Sequence, residues 1–207
     1  MSTAGFKERV KEEAIANAKI YESNFVQYEY LICSKAFEDG YHVIKSDQGN
    51  YLHLIGIHTE LTADDFFKKC IQGKLEESDF DFVKPNKSEK SVKGSVREKI
   101  KVLPLIGELF SQALLAEDNF KKNKVECAFA TTNNTCTLGF AVSDRPKSLL
   151  KGNKLENGKA KRVDLIFRRP RSNKEKYTEL IFGNLNDVVR YKEDIESLIS
   201  DDFFEHK

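Results

Sequence analysis

Val125-Glu-Cys-Ala-Phe-Ala-Thr-Thr-Asn-Asn-Thr-Cys-Thr-Leu-Gly-Phe-Ala-Val142 is the stretch on which the fold turns. Two runs of β-favouring residues with a period of two flank Thr132-Asn-Asn-Thr135, whose side chains suit a turn, so the segment predicts a β-hairpin. Downstream, Arg162-Val-Asp-Leu-Ile-Phe-Arg-Arg169 and Tyr177-Thr-Glu-Leu-Ile-Phe-Gly183 predict a second hairpin, and the two together give four antiparallel strands. The intervening Arg145-Pro-Lys-Ser-Leu-Leu150 reads as a one-turn helix or an ordered loop. Leu185 to Ile199 reads as a final helix, with Val188, Tyr191, Ile195 and Leu198 on one side.

Upstream of Lys124 the character is helical. Phe6, Val10, Ala14, Ala18, Tyr21, Phe25, Tyr28 and Ile32 recur at three and four, predicting helix over residues 5–38. Tyr41–Lys45 and Tyr51–Ile57 read as short strands. Thr62 reads as the N-cap of a helix carrying Phe66, Phe67, Cys70 and Ile71. Residues 76–94 read as a polar connection, and 95–114 as a helix kinked at Pro104. The expectation is an α+β fold: N-terminal helices packed on a four-stranded antiparallel sheet of two hairpins, with a C-terminal helix and one sheet face left open. The division expected is 1–40 as an N-terminal helical segment, 41–200 as the α+β domain and 201–207 as a tail.

The 207 residues are 40% hydrophobic and include 15 Phe and 7 Tyr, enough apolar material for a core. No apolar run approaches the roughly 20 residues that cross a bilayer, and Met1-Ser-Thr-Ala-Gly-Phe-Lys-Glu-Arg9 lacks a signal-like apolar centre. A cytoplasmic protein without membrane contact is expected. The four cysteines are scattered outside any zinc spacing, so reduced thiols, no metal and no cofactor are expected. No phosphate-binding glycine loop or nucleophile elbow is present, which removes the commonest nucleotide-dependent and hydrolase classes. Net charge is only +1, yet Arg145 to Lys176 holds twelve Lys or Arg against three acids. That run suits either a polyanion partner or lysines that keep an edge strand soluble.

Asn50-Tyr-Leu-His-Leu-Ile-Gly-Ile-His-Thr59, followed by Asp65-Phe-Phe-Lys-Lys-Cys-Ile-Gln-Gly-Lys-Leu75, resembles the phage-associated members of the barnase, EndoU, colicin E5/D and RelE-like nuclease superfamily, closest to the group numbered four. Pro146-Lys-Ser-Leu-Leu-Lys151 and Tyr177-Thr-Glu-Leu-Ile-Phe182 resemble its later motifs. Ile55 stands where the group's pattern has Thr. The resemblance covers about Phe25 to Asn184. It implies a metal-independent endoribonuclease, a phage-linked toxin or defence effector acting on RNA such as tRNA or mRNA. An inhibitor or antitoxin protein would be a natural partner, and a monomer or homodimer fits equally. The alternative is an inactive RNA-binding or protein-interaction module of the same fold.

RNA cleavage of that kind needs the 2′-hydroxyl deprotonated, the phosphorane charge stabilised and the leaving oxygen protonated. His53 is the leading proton-transfer candidate, against a satisfied interface histidine. Ser148 is a candidate phosphate donor with Lys147 beside it, or else a local cap. Arg168 or Arg169 would meet transition-state charge from whichever face is open. Tyr177 and Glu179 would assist proton transfer, or form a half-buried Tyr and a cross-strand Glu–Arg pair. His58, Thr59, Lys151 and Lys176 complete the substrate-binding set, with Thr59 also readable as a turn cap. Lys99 and Lys101 are weaker candidates, since helix lysines are usually solvated.

Overall fold

A computed structural model describes residues 5–122, 124–173 and 175–204. Helix α1 (Phe6–Tyr21) buries Val10, Ala14, Ala18 and Tyr21, the stripe its spacing predicts. It does not continue to residue 38. A π-turn at Glu22–Val26 ends it, and there the Asn24 side-chain amide donates to the Ile20 carbonyl at 2.9 Å, a local bond that competes with the helical ladder. Strand β1 (Tyr28–Ser34) follows. Tyr30 and Ile32 enter one core while Leu31 and Cys33 enter another. A strand buried on both faces shows no polar alternation, which is why its residues matched a helical spacing.

Strand β2 (Tyr41–Lys45) pairs antiparallel with β1. Where Tyr51–Ile57 is expected as strand, Asn50–Ile55 forms helix α2. Tyr51, Leu54 and Ile55 are its buried positions, three residues that share a helical face and leave His53 outside. Gly56, at φ +82, closes the helix in the left-handed conformation that glycine adopts without strain. Helix α3 (Ala63–Ile71) begins at Thr62, whose hydroxyl accepts from the Asp65 amide at 3.1 Å, as expected. Helix α4 (Glu89–Val102) starts earlier than its apolar pattern suggests, N-capped by Ser88. It stops before Pro104, and Leu103–Ser111 continues as 3-10 turns.

Then come β3 (Leu115–Asp118), the small pair β4 (Lys121–Lys122) and β5 (Val125–Glu126), β6 (Phe129–Thr132), β7 (Cys136–Phe140), β8 (Pro146–Lys151), β9 (Lys161–Pro170) and β10 (Glu179–Phe182). Both predicted hairpins exist, as β6–β7 and β9–β10, but four strands is an undercount. Among the described residues the main sheet has eight, in the order β2-β1-β9-β3-β6-β7-β8, with β10 also on β9. The ten-residue β9 is long enough to hold β1 along one side, and β10 and β3 in succession along the other. The segment at 145–150 is the edge strand β8, paired with β7, not a turn of helix; Pro146 sits at its first position, where the missing N–H costs no ladder bond.

The second sheet face is not open. Helices α5 (Leu185–Val188) and α6 (Lys192–Ile195), linked by a 3-10 turn at Val189–Tyr191, replace the single expected helix. They press Val188, Tyr191, Ile195 and Ile199 onto Leu31, Cys33, Leu165 and Phe167. The helices α1 to α4 close the larger core on the opposite face. The four cysteines are buried and unpaired. Among the described residues no helix is long and apolar enough to cross a membrane.

Candidate active site

Helices α2 and α4 pack beside the edge strand β8, and a cleft of about 490 Å³ opens where they meet. His53, His58, Thr59, Lys147 and Ser148 line it, joined by Lys84, Lys87 and Lys99. The cleft is therefore cationic.

Lys99 is the centre of this charge. From α4 its Nζ reaches under α2 and donates to the His53 carbonyl at 2.7 Å. Gly56 makes the approach possible, since a Cβ there would lie 3.0 Å from both Nζ and Cδ of Lys99. Burial, with the Lys84 and Lys87 ammonium groups nearby, pushes Lys99 down to about 7. Lys84 and Lys87 flank a tight turn at Pro85-Asn86, where Asn86 takes φ 60, and burial lowers Lys84 as well. The His53 imidazole, an exposed side chain that the cleft walls partly desolvate, is held below its ordinary value by that desolvation and then by Lys99 and Lys84. It is thus neutral near pH 7, the form that accepts a proton.

Ser148 is 8% exposed. Its hydroxyl has no protein partner among the described residues, and the residue lines the cleft. Lys147, beside it, donates from Nζ to the Glu126 carbonyl at 2.7 Å. His58 is tied down by Asp81, with Nδ1 3.1 Å from a carboxylate oxygen and a backbone bridge between the two residues. Thr59 donates to the Asp79 carbonyl at 2.5 Å and accepts from the Leu61 amide at 3.1 Å, so its hydroxyl holds the turn at the rim. Lys151 lies in an adjoining groove that shares Lys99 as a wall.

The remaining candidates form a separate group, since none of Arg168, Arg169, Tyr177, Glu179 or Lys176 lines the cleft. Three strands separate β8 from β9 in the sheet, roughly 19 Å along its surface at the usual strand spacing. Arg168 makes a two-pronged pair with Glu179 at 2.6 and 2.9 Å and covers the Tyr28 ring at 4.3 Å. That pairing holds the Glu179 carboxyl below its ordinary range. Arg169 grips Glu29 at 2.7 and 3.1 Å and lies 4.4 Å over the Tyr177 ring. Tyr177 is buried, and burial raises its phenol above the usual value. Arg168 and Arg169, expected to meet transition-state charge, do not join His53 in the cleft, because the pleat aims them at carboxylates on neighbouring strands.

The basic run from 145 to 176 is likewise no single patch. Arg145 and Arg171 both pair with Asp47, Lys151 with Glu98, Lys159 with Glu156 and Lys176 with Asp201. Lys174 lies outside the described residues. Ile55 is fully buried in the main core, so the residue standing where the group's pattern has Thr is a core position rather than part of the cleft.

A family model described as phage-Barnase-EndoU-ColicinE5/D-RelE like nuclease 4 matches residues 15–197. The chain belongs to that nuclease family. No curated protein and no solved structure matches it.

Proposed function

We propose that this nuclease acts on RNA and that the cleft between α2, α4 and β8 is its active site. The observation that carries the proposal is the placement of a neutral imidazole, a lysine poised near neutrality and an unpartnered serine hydroxyl around one cationic hollow. His53 takes the proton of a ribose 2′-hydroxyl. The 2′-oxygen attacks the adjacent phosphorus, and the bond from phosphorus to the 5′-oxygen breaks. Lys99, in its ammonium form, supplies the proton that the leaving oxygen needs. Lys84, Lys87 and Lys147 balance the charge on the phosphorane while Ser148 donates to a non-bridging oxygen. The products are a 2′,3′-cyclic phosphate and a 5′-hydroxyl, and no step draws on a metal. In this scheme Arg168 and Arg169 brace the sheet.

Such an activity in a cytoplasm suits a phage-linked toxin or defence effector, and a protein covering the cleft would be its inhibitor. The test is incubation of tRNA and mRNA with the purified protein in EDTA, with analysis of the new ends. Cyclic phosphate ends are expected. His53→Ala should lower kcat/KM by about 10²- to 10⁴-fold, while Arg168→Ala keeps cleavage. Salt-sensitive retention of uncut RNA would instead identify a binding module. Loss of activity in Arg168→Ala but not in His53→Ala would move the site to the late hairpin.

A further inference from the structure

A second groove continues from the cleft along β8. It shares Ser95, Lys99 and Leu150 with the cleft and runs on past Lys151, Gly152 and Lys154. Its volume, about 540 Å³, matches that of the cleft. Gly152 turns the chain at φ +73 with open space where a side chain would stand, so the groove floor stays bare. An anion already sits there: the Glu98 carboxylate from α4, 3.0 Å from Lys101 and 3.2 Å from Lys151. All three side chains are about half exposed. An ion pair so well hydrated is weak enough for a stronger anion to displace.

We propose that this groove is a phosphate subsite for a nucleotide flanking the scissile bond, and that Glu98 occupies it in the free protein as an internal substitute for that phosphate. The proposal rests on the cleft being the active site. When RNA enters, the flanking phosphate takes Lys151 and the Glu98 carboxylate swings away, still paired with Lys101. Lys99 stands between the two compartments and reads both phosphates. The substrate is then a strand longer than a dinucleotide, bound along the edge of the sheet, and Glu98 weakens its binding by competing for Lys151.

Fluorescence anisotropy with 2′-O-methyl oligouridylates, which cannot be cut by 2′-hydroxyl attack, tests this with the full chain. The quantity read is the affinity for a hexanucleotide relative to a dinucleotide. Glu98→Gln should raise that ratio by up to about fivefold, and Lys151→Ala should lower it. Lys151→Ala should also flatten the slope of log affinity against log salt for the hexanucleotide by about 0.7, the share of one phosphate contact on a single strand. A ratio unchanged in both variants, or a failure of the hexanucleotide to bind better than the dinucleotide, overturns the subsite. Cleavage of unmodified RNA by the wild-type protein is scored separately. If cleavage is missing while the ratios move as stated, the nuclease mechanism fails and the groove is left as a phosphate-binding site for RNA with no scissile bond beside it.

Discussion

Replacing Lys99 by Met should make the protein more stable at neutral pH while abolishing its activity. The side chain's ammonium is brought from 10.5 to about 7 by burial and by two neighbouring lysines. At about 1.4 kcal/mol per pH unit, the ceiling on what this charge costs the fold is ~5 kcal/mol. Lys99 keeps partial contact with water, which reduces the figure to ~2–3 kcal/mol. Methionine retains the apolar stem but loses the hydrogen bond to the His53 carbonyl, worth ~1 kcal/mol. The net expectation is a gain of ~1–2 kcal/mol at pH 7. Its pH dependence is the sharper signature. Between about 7 and 10.5 the unfolded chain holds a proton at Lys99 that the folded chain has released, so wild-type stability rises with pH across that window. The advantage of the variant is therefore full below 7 and fades towards 10.5. Urea unfolding followed by far-ultraviolet circular dichroism at a series of pH values measures it. A variant less stable than wild type at pH 6 to 7, or an advantage that does not change with pH, would refute the idea that Lys99 is held as a costly buried charge.

Gly139→Ala should destabilise by ~1–3 kcal/mol, because the added Cβ would lie 2.5 Å from the buried Cys127 Sγ; adding Cys127→Ala should recover most of the loss in thermal melts. His42 stacks on Phe129 at 4.0 Å and faces Asp118 at 3.3 Å and Asp144 at 3.6 Å. Burial opposes its charging, but the two carboxylates outweigh that and raise its pKa above 6.5. The stabilisation is thus fully present below 6.5 and lost as pH climbs through the raised folded value. His42→Gln should remove that part of the stability profile, and a profile identical to wild type would disprove the linkage.

The sequence disclosed the parts whose signal is local. The Thr62 cap, the two hairpins and the apolar stripe of α1 are all where their spacing puts them. It concealed the parts that depend on burial from two sides. Tyr28–Ser34 looked helical because both its faces are apolar, and Leu115–Asp118 is too short to carry a period of its own. At the site, His53 stood out through its motif but on the wrong element: Tyr51, Leu54 and Ile55 fit a helix as well as a strand, and the left-handed Gly56 was the deciding clue. Lys99 could not be distinguished from solvated lysines of α4, since its low pKa comes from α2 and the Lys84–Lys87 turn, both distant in the chain. Lys84 and Lys87 did leave a trace, as two cations bracketing Pro85-Asn86.

The position of β8 at the rim of the sheet bears on any mutational survey of this protein. An outermost antiparallel strand turns every other residue's amide and carbonyl away from its neighbour, and β8, whose Lys147, Ser148 and Leu150 line the cleft, is such a strand. Main-chain donors in that row carry no side chain to delete. Truncating the lysines one at a time should leave a floor of residual affinity, and only proline, which strips the donor itself, reaches below it.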